Sequence, residues 1–128
     1  MSNEIIEYTD LLKDDEINYL FESPKNSPFS MFGFEVGIGW VNLIYDLSKE
    51  IAKLDKNKEC RVLQIKEKFG TLSFYTDYAN PEIFSVINEY TKKSSTVCEL
   101  CGENGRTRGE GYLITLCDNC EEKRNGVI

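Results

Sequence analysis

Four of the five cysteines in this 128-residue sequence fall in two pairs, Cys98-Glu99-Leu100-Cys101 and Cys117-Asp118-Asn119-Cys120, with fifteen residues between them. A C-x-x-C turn aims two thiolates the same way, and two such turns at this separation can set four sulfurs on one tetrahedral ion. The expected cofactor is therefore a single structural Zn²⁺ held by Cys98, Cys101, Cys117 and Cys120, at Zn–S distances of about 2.3 Å. Four thiolates leave no open coordination position, so the ion would fix shape and contribute to folding rather than activate water. Two other chemistries compete for the same residues. A thioredoxin-like dithiol is a single pair beside a βαβ pattern, whereas two pairs flank a hairpin here. Disulfides need an oxidising compartment, and no secretory signal is read at the start of the sequence.

The remaining inventory is poor in reactive groups. There is no histidine, which removes imidazole bases, Cys-His pairs and His-ligated zinc hydrolase motifs. Cys60 stands beside Arg61, which would lower a thiol pKa, yet a lone cysteine opening a strand is more simply a small core residue. Carboxylates are numerous but form no paired motif on a rigid element. The expectation is a protein that is not an enzyme. A nucleic-acid module would use Lys66, Lys68, Arg106 and Arg108 as a basic strip on two hairpins, with Tyr75 and Tyr112 for stacking. Against it stands the net charge of −7, since an acidic surface repels phosphates.

The acid excess is uneven: residues 1–59 carry twelve acids against six bases, while residues 60–97 are nearly balanced. Such a half-molecule suits solubility or a basic protein partner. No apolar run reaches the length of a membrane span, so no membrane partner is expected and the localisation read from the sequence is cytoplasmic.

The elements that must position the cysteines are legible from periodicity. Leu12, Ile17 and Leu20 suggest a helix over 11–21 capped by Thr9 or Asp14, and the prolines of 23–28 mark a loop. Residues 32–40 interleave Gly33, Gly37 and Gly39 with aromatics, without the Lys-Ser/Thr of a phosphate loop, so a tight turn packing on Trp40 is expected. From Trp40, Leu43, Ile44, Leu47, Ile51 and Leu54 form a helical stripe to about Asp55. Residues 60–78 read as an antiparallel hairpin turning at Gly70, with Leu63, Ile65, Glu67 and Phe69 on one face, lying on the Trp40 helix. Asn80-Pro81-Glu82 starts a helix whose apolar face is Ile83, Phe84, Val86, Ile87 and Tyr90. Between the cysteine pairs, Arg106–Arg108, Gly109–Gly111 and Tyr112–Leu116 give strand, turn and strand, and the charges after Cys120 suit a short helix stopped at Gly126.

The segments Phe32–Trp40, Gln64-Ile65-Lys66-Glu67-Lys68-Phe69-Gly70-Thr71-Leu72-Ser73-Phe74-Tyr75, Cys98–Gly102 and Thr115–Cys117 resemble a group of small uncharacterised proteins of phages, prophages and bacterial genomes. That group has a Gly-Phe-Glu-Cys-Gly-Asp-Gly-Trp segment before a helix, then a Lys-Glu-Lys-Phe-Gly hairpin and a terminus with paired cysteines; Val36 and Ile38 stand here where it often has Cys and Asp. The resemblance spans about residues 32–120 and implies a phage or mobile-element context, with no activity attached. The fold class expected is α+β, with helices packed on an antiparallel hairpin or small sheet and a zinc-ribbon or treble-clef-like unit at the C-terminus. Residues 1–97 are read as the body and 98–128 as the metal unit docked on it. The function expected is a small interaction protein of inhibitor, anti-defence or immunity type, with a nucleic-acid-binding or regulatory zinc module as the alternative.

Overall fold

The computed structural model describes residues 7–126; Ile5 and Ile6 of the opening stretch, and Val127 and Ile128 at the end of the metal unit, lie outside them. The architecture is α+β. In chain order it runs α1 (Thr9–Leu12), a 3₁₀ turn (Asn18–Phe21), α2 (Pro28–Phe32), β1 (Phe34–Glu35), a 3₁₀ turn (Ile38–Trp40), α3 (Val41–Leu54), β2 (Val62–Lys68), β3 (Thr71–Thr76), α4 (Pro81–Ser94), β4 (Arg106–Arg108), β5 (Ile114–Leu116) and α5 (Asp118–Arg124).

The expected helix over 11–21 is two short pieces. Asp14 interrupts it: its side chain accepts the Glu16 N–H at 2.9 Å, an Asx turn that competes with helical bonding. The same carboxylate accepts from the Tyr45 hydroxyl at 2.8 Å and pairs with Lys49, so the break is anchored to α3. Leu11 takes the core position expected for Leu12, which is exposed, while Ile17 and Leu20 are buried as expected. Ser27, within the expected loop of 23–28, then caps a helix that begins at the loop's last residue. Its hydroxyl accepts the Ser30 N–H, and Pro28 sits in the first turn, where a missing N–H costs nothing.

β1 lies parallel to β2, pairing Phe34 with Ile65 and Glu35 with Lys66, and β2–β3 is the expected antiparallel hairpin. The sheet order is β1-β2-β3. The facing pattern of β2 differs from simple alternation because the register shifts between Val62 and Gln64. Leu63 is a bulge residue, so Val62 and Ile65 are both fully buried and Leu63 is only partly so. Phe69 leaves the apolar face as well: it sits with Gly70 at the hairpin turn, both at positive φ, and points to solvent.

α4 begins as the Asn80-Pro81 signal requires, with the Asn80 side chain accepting the Ile83 N–H at 2.8 Å, a cap contributing about 1 kcal/mol. It buries Ile83, Ile87 and Tyr90, whereas Phe84 is exposed. The helix lying directly on β3 is α4, and α3 packs against α4, a refinement of the expectation that the Trp40 helix covers the hairpin. Trp40, Ile44, Leu47 and Ile51 share one core with Ile65, Leu72 and Phe74. Tyr8, Phe21, Phe29 and Phe34 extend that core as an aromatic cluster, Tyr8 stacking on Phe34 at 4.5 Å.

Candidate metal centre

The C-terminal segment is built from short-range bonds that close around the cysteines. Val97 bridges Asn104, the Cys98 N–H donates to the Glu103 carbonyl and the Gly102 N–H to the Cys98 carbonyl, so the first pair sits in a tight knuckle. Gly102 is at φ +87, a conformation the turn needs and glycine adopts freely. β4 and β5 pair Arg106 with Leu116, Thr107 with Thr115 and Arg108 with Ile114. The chain then enters α5 at Cys117, whose sulfur accepts the Cys120 N–H at 3.4 Å. Knuckle, hairpin and a helix carrying the second pair on its first turn make the unit treble-clef-like.

The four sulfurs converge, all within 4.8 Å of one another, with Cys101 and Cys117 3.6 Å apart. Sulfurs at the corners of a tetrahedron with bonds of about 2.3 Å would be separated by about 3.8 Å, so this set fits a tetrahedral ion. A disulfide requires about 2.05 Å. Burial alone would hold the Cys98 thiol protonated, but N–H donors from Cys117, Cys101 and Leu100 bring its pKa down to about 7. Burial and the neighbouring thiols push Cys120 up to about 12. Crowded sulfurs oppose one another's ionisation, and a bound dication reverses that balance. The donor set can hold a metal ion; four thiolates at tetrahedral spacing are the chemistry of zinc or iron.

What positions this centre against the rest of the chain is the glycine segment. The Gly39 N–H donates to the Glu99 carbonyl at 2.7 Å, and the Gly37 N–H to Glu99 Oε2 at 2.9 Å. The Trp40 indole N–H donates to the Val97 carbonyl at 2.8 Å. A Cβ on Gly37 would lie 2.4 Å from the Glu99 oxygen, and one on Gly39 would lie 2.2 Å from the Cys98 oxygen. Both glycines are thus required by the close approach of the first knuckle rather than by positive φ. Glu99 is buried, and burial raises its carboxyl pKa despite the bond from Gly37. A second contact lies at the other hairpin, where the Thr115 hydroxyl donates to the Gly70 carbonyl at 2.5 Å.

The basic residues are only partly assembled. Arg108 is occupied inside the unit, donating to the Leu116 carbonyl at 3.0 Å and to Asp118 Oδ1 at 2.7 Å, which ties β4 to the start of α5. Lys66 is half-buried and stands beside Glu35 in the sheet. Lys68 and Arg106 are exposed, and the Gly70 turn that follows Lys68 is bonded to Thr115, the residue paired with Thr107 across the hairpin that carries Arg106. Tyr75 and Tyr112 are exposed. Cys60 is remote in character: fully buried, with burial foremost in pushing its thiol up to about 12, it is an inert core residue.

Sequence reasoning missed Glu99, Gly37 and Gly39 as parts of the site. The signal available was the alternation Gly37-x-Gly39 together with an acid inside the first knuckle, but their partnership spans some sixty residues and leaves no local trace. No protein-family model, no curated protein and no solved structure matches the chain. Fold and site together define an α+β protein carrying a treble-clef-like four-cysteine unit. Among the described residues, no helix is long and apolar enough to cross a membrane.

Proposed function

We propose that this is a small, non-catalytic, zinc-stabilised protein-interaction protein of the cytoplasm, of the inhibitor, anti-defence or immunity type carried by phages and mobile elements. One zinc ion on Cys98, Cys101, Cys117 and Cys120 holds the C-terminal unit in shape, and the acidic surface meets a basic protein partner, gaining speed of association from electrostatic steering. The observation that carries this reading is a convergent four-cysteine cluster on a chain of net charge −7. The inert Cys60 and the absence of histidine support it.

A nucleic-acid module is the second reading. It is favoured by the bond from the Thr115 hydroxyl to the Gly70 carbonyl, which ties the Lys68 and Arg106 hairpins together, and weakened by the engagement of Arg108 with Asp118. Affinity purification with the metal-loaded protein decides between them. Recovery of one stoichiometric protein whose binding weakens with salt supports the interaction protein. Tight binding of labelled DNA or RNA with a steep salt slope, and no stoichiometric protein, overturns it.

A further inference from the structure

The first cysteine knuckle and the start of α3 flank an open groove of about 560 Å³. Ile38, Leu43 and Asp46 line one side, and Val97, Leu100 and Glu103 the other. The two sides are pinned together by the bonds that dock the knuckle, from the Gly39 N–H to the Glu99 carbonyl and from the Trp40 indole to the Val97 carbonyl. Ile38 and Leu100 lie far apart in the sequence, yet both line this groove, left 46% and 47% exposed. Leu43 and Val97 are half-buried and packed on the core. Exposed apolar surface gathered in one place and rimmed by polar groups marks an interaction site. The charged lining residues are Asp46 and Glu103, one acid on each side, and among the described residues neither is in an ion pair. Lys93 acts on Asp46 through space, opposed by Glu50, but its ammonium is paired with Glu89 at 3.6 Å and lies over the Tyr90 ring at 4.4 Å.

We propose, resting on the protein-interaction reading, that this groove is where the protein partner docks, and that its occupant is a segment presenting an aliphatic side chain with a lysine or arginine close on either side. The aliphatic group lies between Ile38 and Leu100, where exclusion of water supplies affinity. The flanking cations meet Asp46 on α3 and Glu103 on the knuckle, and the same two carboxylates turn away acidic segments and phosphates. The place of the metal follows. Cys101 lines the groove on the side of Leu100 and Glu103, so an ion held by the four cysteines keeps one half of the docking site in shape.

The test selects a displayed library of short random peptides against the intact metal-loaded protein and measures the enriched peptides by fluorescence anisotropy. They should carry leucine, isoleucine, valine or methionine flanked by lysine or arginine, and salt or chelation should weaken their binding. Leu100→Ser, and separately the pair Asp46→Asn with Glu103→Gln, should each lower affinity at least about 10-fold. All three positions are exposed, and unchanged Trp40 emission checks that the fold is kept. Asp15→Asn with Glu59→Gln removes the same charge from exposed sites outside the groove and should leave affinity unchanged, whereas simple attraction to an acidic chain would weaken equally for both pairs. No enriched peptide, enriched peptides without this pattern, binding indifferent to Leu100→Ser or to chelation, or equal loss from the two charge pairs overturns the assignment. So does occupation by a second copy, seen as a dimer that Leu100→Ser dissociates, or by labelled DNA. If a protein recovered by affinity purification binds the parent and Leu100→Ser alike, the groove assignment fails while the protein-interaction reading stands.

Discussion

Gly39→Ala isolates the docking of the metal knuckle on the body. The backbone at Gly39 is outside the left-handed region, so alanine is conformationally acceptable there. If nothing lay close, the substitution would stabilise by about 0.4–1 kcal/mol through the unfolded chain. Instead the new Cβ would meet the Cys98 carbonyl oxygen at 2.2 Å and the Glu99 carbonyl at 2.6 Å, backbone atoms that cannot swing aside. Overpacking of this kind costs about 1–3 kcal/mol. The displacement also weakens the bonds from Gly39 to the Glu99 carbonyl and from Gly37 to the Glu99 carboxylate, each contributing about 1 kcal/mol. A net loss of about 2–4 kcal/mol is expected, a fall in urea midpoint of about 1–2 M at the slope usual for a chain this size. The assay is urea unfolding of the metal-loaded protein, repeated with the ion removed by chelation. Removing the ion loosens the knuckle, so the penalty should shrink. A Gly39→Ala variant as stable as the parent, or one whose penalty is unchanged by chelation, refutes the claim that the glycines serve the metal unit.

Purified, reduced protein should contain one zinc per chain by elemental analysis, and chelation should shift Trp40 emission to the red, since its indole is buried and bonded to Val97 beside the first knuckle; a chelated protein with unchanged emission contradicts this. In the native, metal-loaded state at about pH 8, Cys60 should react with thiol reagents orders of magnitude more slowly than a free thiol, because burial holds it protonated. Chelation, which loosens the knuckle, should bring the four cluster thiols into reaction ahead of the fifth, which appears only on unfolding. Burial alone would raise the Asp55 carboxyl, yet bonds from the Tyr19 hydroxyl and the Cys60 and Glu59 amides, with Arg61 nearby, hold it below the usual range. A depressed folded pKa means this stabilisation is present above about pH 4 and is lost as pH falls through the folded value. Asp55→Asn should therefore lower stability at neutral pH and flatten the acid limb of a urea midpoint series.

The parts legible in the sequence are those fixed by local chemistry. The four cysteines converge as their spacing requires, α4 starts at the Asn80-Pro81 cap, and α3 follows the Leu43–Leu54 stripe. Local rules failed where a distant residue decides. The helix break at Asp14 depends on Tyr45 and Lys49 of α3, and the parallel partner of Phe34–Glu35 lies thirty-one residues away in β2. The bulge at Leu63 moves Val62 inward, which period-two alternation cannot foresee. α2 is a different failure, because Ser27-Pro28 carried a readable start signal that the nearby Pro24 obscured.

The contact between Gly37, Gly39 and the first cysteine knuckle also constrains how such a chain can diverge. A lineage that discards the cysteines gives up the reason for two side-chain-free positions, and drift there becomes harmless. One that keeps them cannot lengthen either residue. Sequences of related chains should therefore lose or retain Gly37, Gly39, Cys98 and Cys101 as a set, although the two halves of that set lie far apart along the polypeptide.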